Sequence, residues 1–537
     1  KGLFWHYLEP CNLRPIVKEE YKEPCSRLYI RDKKTLLFEV TYYKKRINFE
    51  VFHVLTDGTG ATEFLKELVK NYLYLAHKEE GLEQVALLPE DMTVQDQEDD
   101  SFLKYYSKNQ KRPKKRKLNA FQIRRKKKDG NHLHVHESVV SVQAVLKRSR
   151  ELGVSMTIFL TALFMMAINE EMSKMQKKKP VVLMVPVNLR KFFPSTSMLN
   201  FFNWIEPGYN FTTQDQSFEA VLKYTKEFFE TELTKEKMSA HISELLALEL
   251  HPILRLAPLE LKNLCIQAGA KYSEKNTTAI FSNMSAVKMP ESYVPYIERF
   301  GVYTNTPKLE LCLCSFQDKL SFAFTSRYDT VNIERNFYRL LKEQGITSEK
   351  VKPEFPKAGK PSELEMKVYK IYSFLCIAIV AAMLVTDLNF HPRIRWTLFT
   401  AGGVVTMWIA SSIGFFKRYN LLKNAMWQLI IGTIICFVWD ALTGWHSWSV
   451  DLVLPIMSVS TLAAMFVTAK VQKSPVREYL IYEIMAAGYG LILPVILLLC
   501  GVVKNPTVSM FGALTCFLFL VAVILFKGRE FKEEMQK

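Results

Sequence analysis

No C-x-x-C pair occurs among the nine cysteines of this 537-residue chain, which argues against a structural zinc site. No disulfide framework is visible either. Cys376, Cys436, Cys500 and Cys516 lie in very apolar runs, where a thiol is a small hydrophobe, and Cys312 and Cys314 form a C-x-C in an alternating strand pattern. Such usage belongs to a reducing compartment. The opening KGLFWHYLEP starts at Lys1 rather than Met, already mid-pattern. It reads as a fragment or a processed chain, without a signal peptide in these residues. The segment from Leu88 to Gly130 lacks apolar content and passes from acidic to strongly basic. It reads as a solvated loop between lobes, with lipid headgroups or a cofactor's phosphates as other partners for its basic end. Its lack of interleaved aromatics makes nucleic acid the least favoured partner.

What is present is 49% hydrophobic residues and a net charge of +17. That is enough for two or three domains with real cores and points to an anionic partner. From about Tyr369 six apolar runs follow: Tyr369–Leu388, Trp396–Phe416, Ala425–Gly444, Ser449–Ala469, Tyr479–Val503 and Val508–Phe526. Each has the length needed to cross a bilayer as a helix. Lys417, Arg418 and Lys423 follow the second run, Lys470, Lys473 and Arg477 the fourth, and Lys527, Arg529 and Lys532 the sixth. The other loops carry only Arg393, Arg395 and Lys504, so the positive-inside rule predicts both ends of this bundle in the cytoplasm. Trp396, Trp445 and Trp448 sit where an aromatic belt is expected. The Lys- and Pro-rich stretch 346–368 reads as a linker near anionic headgroups. The predicted order is therefore 1–130 and 131–345 as two lobes of a soluble domain, the linker, a six-span domain over 369–527, and a tail at 528–537.

The soluble part alternates strands and helices. KTLLFEVTYYKKRINFEVFHVL reads as two strands with a turn at Lys44–Lys45. SVQAVLKRSRELGVSMTIFL reads as two helices broken near Gly153. KPVVLMVPVNLR is continuously apolar, hence a central strand buried on both faces. FEAVLKYTKEFFETEL has the period of an amphipathic helix. LELCLCSFQDKLSFAFTSRYD predicts a hairpin turning at Gln317–Asp318, and NFYRLLKEQGI a closing helix ending at Gly345. This is an α/β domain with mixed sheets.

The stretch FHVLTDGTGATEFLKELV carries the chemistry. Ile47, Phe49, Val51 and His53 are predicted to share one strand face, with His53 where the strand stops. Phe64, Leu65, Leu68, Val69 and Tyr72 form the apolar stripe of a helix. TDGTG is the turn between, with Gly58 and Gly60 able to take positive φ. A histidine held between rigid elements suits proton transfer near neutral pH, whereas Asp57 is expected to pair with a buried arginine and shape the turn. A core histidine beside an ordinary Asp-Gly turn would show the same residues.

FHVLTDG resembles the H-H-x-x-x-D-G signature of the CoA-dependent acyltransferase superfamily. VPVNLRKFFPSTSMLNFF and FSNMSAVKMP follow in the order and spacing of its bacterial alcohol-acetyltransferase-like branch. The resemblance covers about residues 1–345. It implies a two-lobed chloramphenicol-acetyltransferase-like fold of mixed sheets, and direct transfer of an acyl group, most simply acetyl, from acyl-CoA to an alcohol or amine without a covalent intermediate. By position, His53 matches the catalytic base, Asp57 and Gly58 the D-G, and Arg190 the arginine expected to pair with the aspartate. Asn200, Ser282 and Asn283 match the segments beside the substrate, where Ser282 would steady the oxyanion. The first histidine of the signature is Phe52 here, the plant-type D-F-G-W-G is absent, and the family's first strand would precede Lys1. No bound cofactor is implied, only acyl-CoA as co-substrate. WDALTGWHSWSVDLVLPIM is similar to a six-helix bacterial membrane domain of unknown function, which implies topology only.

These features predict an integral protein of the bacterial cytoplasmic membrane whose acyltransferase domain and C-terminus face the cytoplasm. The rivals are a non-catalytic acyltransferase-like binding domain on a transport or assembly platform, and amide formation on a carrier-bound thioester, for which no carrier-like domain is visible. Weaker features are His132, His134 and His136, spaced for a metal or for an edge strand, and Asp440, His446, Asp451 and Glu483 near span ends, read as functional or as interface anchors.

Overall fold

The computed structural model describes residues 5–6, 8, 11–29, 35–85, 99–107, 119–123, 133–328, 330–356, 363–390, 396–416, 420–471 and 476–536. Much of the acidic-to-basic stretch, His132, Arg393, Arg395, Lys417, Arg418 and Lys473 lie outside them. Two compact units emerge, one built on Pro10–Tyr29 and Thr35–Gly359, the other chiefly on Lys360–Lys537.

In the first unit a small sheet orders β1 (Lys18–Glu19), β2 (Phe38–Tyr43) and β3 (Arg46–Val51). The β2–β3 hairpin turns where expected, with Lys44 at φ 53° supplying the left-handed turn. Helix α1 (Gly58–Ala76) follows. After the short α2 (Ser101–Lys104), an eight-stranded sheet forms, with order β11-β4-β10-β9-β8-β5-β6 and β7 beside β5. Its strands are β4 (His134–Ser141), β5 (Val181–Asn188), β6 (Phe202–Ile205), β7 (Gly208–Tyr209), β8 (Ala279–Ala286), β9 (Leu309–Phe316), β10 (Lys319–Ser326) and β11 (Glu349–Val351). The β9–β10 hairpin turns at Gln317, φ 52°. β11 lies beyond residue 345, so the chain still adds to the sheet where a linker was expected.

The break near Gly153 (φ 65°) separates α3 (Val142–Glu151) from α4 (Met156–Glu170). Ser141 and Ser155 cap them by accepting from Ala144 N and Ile158 N, a contact of about 1 kcal/mol each. α4 is buried nearly all round and fills one sheet face, with Phe281, Leu311, Phe322 and Phe324 from the strands and Phe337 and Leu341 from α9 (Asn332–Glu343). α5 (Phe218–Glu232) packs on α4 as its period requires. Three further helices were not legible: α6 (Lys235–Glu249), α7 (Pro252–Leu256) and α8 (Leu259–Ser273). In α6 Met238, Ile242 and Leu246 line one face and enter the main core, whereas Leu261, Leu264 and Ile266 of α8 are exposed.

Several local expectations are corrected. β5 is buried over Val181–Leu183 but only half-buried toward Asn188, because there its face turns to the site rather than to a core. In α1 the buried side chains include Leu73 and Lys70, while Phe64 and Tyr72 are exposed; Phe64 stacks on Phe49 instead, with centroids 4.5 Å apart.

The second unit is helical: α10 (Glu363–Phe390), α11 (Trp396–Phe416), α12 (Leu421–Leu442), α13 (Leu454–Val471, entered through a π turn at Ser449–Val453), α14 (Val476–Leu499) and α15 (Pro506–Gln536). Six stretches among the described residues are long and apolar enough to cross a membrane, from Met366–Thr386 to Pro506–Gly528. A bilayer admits such spans because helices satisfy their own backbone.

Candidate active site

β3 ends at Val51, and Leu55 N donates to Phe52 O to close a turn over His53 and Val54. His53 therefore lies past the strand, in an exposed turn, and not on a shared strand face with Ile47, Phe49 and Val51. The chain then enters α1 through Asp57, whose extended backbone and side chain make it the N-cap. Asp57 Oδ1 accepts from Thr59 N (3.0 Å) and Gly60 N (3.2 Å). Its Oδ2 accepts from Arg190 Nη1 (2.6 Å) and Phe201 N (2.9 Å). Both oxygens are filled and the residue is buried, so Asp57 shapes the turn and has no lone pair free for a substrate proton.

The glycines are needed for space, since neither Gly58 nor Gly60 has positive φ. A Cβ on Gly60 would stand 2.1 Å from Thr56 Oγ1 and 2.4 Å from Met198 O; one on Gly58 would meet the flexible end of Met284.

Arg190 sits just past β5 in a 3-10 turn capped by Asn188, whose Oδ1 accepts from Arg190 N at 3.0 Å. Besides Asp57, its guanidinium donates to Ser197 O (2.7 Å from Nη2) and Leu199 O (2.8 Å). A planar fork with fixed donors suits this task better than an ammonium. Asn188 Nδ2 also donates to Thr59 Oγ1 (3.0 Å), and Thr56 Oγ1 to Met198 O (2.5 Å). These bonds stitch the turn before α1 to the loop that leads into β6. Asn188 and Thr56 were not singled out from the sequence; the polar residue two before Arg190, at the end of an apolar strand, was the available signal.

That loop delivers Asn200 to His53. Asn200 Nδ2 donates to His53 O (2.8 Å) and Val54 O (3.2 Å), and its Oδ1 lies 3.1 Å from His53 Nδ1. Because the amide nitrogen is committed to carbonyls, the oxygen faces the ring, and Nδ1 must carry the proton. Nε2 is then the lone-pair nitrogen. Phe202 flanks the ring at a centroid distance of 5.3 Å. Asn200 thus orients the histidine, a role different from the substrate contact expected of it.

Ser282 and Met284 share one face of β8, the face that brings Met284 to Gly58. Ser282 Oγ lies 4.0 Å from Met284 Sδ. Asn283 is corrected: strand alternation turns it to the other face, where Nδ2 donates to Thr157 Oγ1 (3.0 Å) and Oδ1 accepts from Ser285 N (2.9 Å).

The weaker candidates resolve differently. No group of three His, Cys, Asp or Glu able to hold a metal occurs among the described residues; His136 Nε2 lies 3.9 Å from Glu334. Asp440 is fully buried and accepts from His446 N (2.7 Å), Ser449 N (3.0 Å) and Ser449 Oγ (2.7 Å). Asp451 accepts from Lys504 N and Asn505 N, both at 3.1 Å. Each carboxylate accepts from the backbone of a turn beside it. Glu483 is buried, and its Oε1 has no hydrogen-bond partner among the described residues.

Residues 16–249 match the family model for alcohol acetyltransferase, and residues 355–537 match a family of unknown function (DUF6320). No curated protein matches the chain. Among solved structures, the epimerization domain of the third module of tyrocidine synthetase B is 13% identical, covering 57% of this chain and 72% of that one, with TM-score 0.34. The polyketide synthase associated protein 5 from Mycobacterium tuberculosis is 11% identical over 57% and 74%, with TM-score 0.35. The trichothecene 15-O-acetyltransferase from Fusarium sporotrichioides is 11% identical over 57% and 70%, with TM-score 0.36. Likenesses this distant add no weight beyond the geometry. The alcohol acetyltransferase match spans His53, Asp57, Gly58, Arg190 and Asn200, and the match to the family of unknown function follows it along the chain.

Proposed function

We propose that this protein is a membrane-anchored acyltransferase that moves an acyl group, most simply acetyl, from acyl-CoA to an alcohol or amine, with His53 as general base. The observation that carries the reading is the Asn200 clamp, which commits Nδ1 as a donor and leaves Nε2 to accept. His53 Nε2 takes the proton of the acceptor O–H or N–H as that atom attacks the thioester carbonyl. The tetrahedral oxyanion collapses, the C–S bond breaks, and the imidazolium returns the proton to the CoA thiolate. Ser282 is the candidate oxyanion donor from β8. Direct transfer puts most of the catalytic load on positioning, which the Asp57–Arg190 stitch supports. The six apolar helices support an anchored enzyme. The cytoplasmic-membrane location and the inward orientation of the domain belong to the same proposal.

The test is acceptor-dependent release of CoA thiol from acetyl- and longer acyl-CoAs, with alcohols, amines and membrane lipids as acceptors. H53A should lose about 10²–10⁴-fold in rate. Equal background release from both proteins across the panel would favour the non-catalytic platform.

A further inference from the structure

β8, β9 and β10 are directly paired, so their side chains alternate between two faces. Leu309, Leu311 and Leu313 of β9 point into the main core beside Phe281 and Phe324. Glu310 therefore points the other way, with Cys312 and Cys314. That is the face where Leu65 of α1 packs near Cys314 and Phe316, and where Met284 meets Gly58. In register, Glu310 stands opposite Thr325 on β10 and Ile280 on β8.

Glu310 is 4% exposed and Thr325 1%. Cys312 Sγ gives Glu310 Oε1 a weak contact at 3.5 Å. Glu310 Oε2 and Thr325 Oγ1 have no hydrogen-bond partner among the described residues. The Thr304 and Thr306 hydroxyls are close enough to ease ionisation. Thr306 Oγ1, however, donates to Lys308 O at 3.1 Å and Thr304 Oγ1 lies against Cys312 Sγ at 3.5 Å, which leaves Oε2 orphaned. Burial pushes the Glu310 carboxyl above its ordinary range, and the His53 imidazole acts on it electrostatically. A carboxyl buried without a partner is costly, and a core strand gains nothing from it that a leucine would not give. No basic side chain forms an ion pair with Glu310 among the described residues. The missing partner is a hydrogen-bond donor, and a cationic donor would also hold the carboxyl in its ionised form.

We propose that Glu310, with Thr325 beside it, is the acceptor-recognition subsite, and that it binds a protonated amine carried by the acceptor while the acceptor's hydroxyl lies at His53. The substrate class is then an amino alcohol. This rests on the acyltransferase reading of His53, but its binding step does not need turnover.

The full-length protein is titrated by calorimetry with a homologous series of amino alcohols and with alkyl alcohols of matching length. Wild type should bind the amino alcohols about 10- to 100-fold more tightly, the range of a charge-assisted hydrogen bond. E310Q, nearly isosteric, should abolish that preference while leaving alkyl-alcohol affinity and thermal stability unchanged or raised. T325V should weaken the preference several-fold and carries the test should E310Q not fold. Equal affinity of wild type for both series, or a preference that survives E310Q, overturns the subsite. Glu310-dependent binding without CoA release from any acceptor would overturn the catalytic reading and leave the subsite standing.

Discussion

At the scale of single residues, the site separates the group proposed to react, His53, from the groups that hold it. His53 is exposed and presented, whereas Asp57 and Arg190 are buried and saturated. Asn200 is a positioning residue, so its substitution should alter proton transfer more than substrate affinity. N200A should lower kcat about 10- to 100-fold with little change in KM, and N200D, which still accepts from Nδ1, should move the acidic limb of kcat/KM to higher pH. A pH–rate series on the three proteins checks this, and parallel profiles would show that Asn200 only supports the fold. D57A strands the Arg190 guanidinium, at a cost of roughly 3–5 kcal/mol; a denaturant melt should report that loss. G60A forces a Cβ against the carbonyl of Met198, where backbone cannot yield cheaply. A stability loss of at least about 2 kcal/mol is expected in the same melt. His53 and Asp57 were legible because their spacing is local. Asn188 and Thr56 were not, since what they bond lies more than a hundred residues away.

At the scale of elements, burial on α9 and caps on α12 each make a measurable claim. Glu334 on α9 is buried, and burial pushes its carboxyl up to about 8, with Lys350 opposing the shift. Its unfolded value is about 4.3. The neutral acid is the favoured native form, so its contribution is complete below about pH 4.3 and is lost as pH rises to about 8. E334Q should therefore raise Tm relative to wild type at pH 8, with the difference shrinking toward pH 5; scanning calorimetry at both pH values decides it. Asp440 receives three hydrogen bonds at the end of α12. D440A would leave those donors unpaired, at about 1–3 kcal/mol each if they stay buried. The detergent-solubilised protein should melt lower, while acyl transfer to soluble acceptors continues. Periodicity revealed α5, which buries one consistent face, whereas near-continuous apolar character revealed α4 and the β9–β10 hairpin, which are buried almost throughout. It missed α6, whose buried face of Met238, Ile242 and Leu246 is masked by further apolar residues at Leu245 and Leu248, and α7 and α8, whose apolar residues stay largely exposed.

At the scale of the whole molecule, one chain joins a domain that matches the alcohol acetyltransferase model to six helices long and apolar enough to cross a membrane. The windows Met366–Thr386 and Phe399–Phe416 are only 6% buried, against 39% for Tyr479–Leu499, so the first two helices leave apolar side chains for lipid to cover. The full chain should resist carbonate extraction from membranes. The unit Pro10–Gly359, expressed alone, should remain soluble and keep His53-dependent transfer to soluble alcohols, while losing at least about 10-fold in rate on lipid-borne acceptors. Equal rates on both acceptor types would end the idea that anchoring serves the chemistry. The sequence by itself determined the six long apolar runs, the strand–turn–helix around His53 and the acyltransferase likeness. All three are written in local composition and spacing, and run length against bilayer thickness decides the first. Only the tertiary structure decided that Asn200 Oδ1 meets His53 Nδ1, that Asn283 faces away, and that Glu310 Oε2 is buried with no hydrogen-bond partner among the described residues. Each depends on which strands pair and in what register, and a shift of one residue in a strand exchanges its faces.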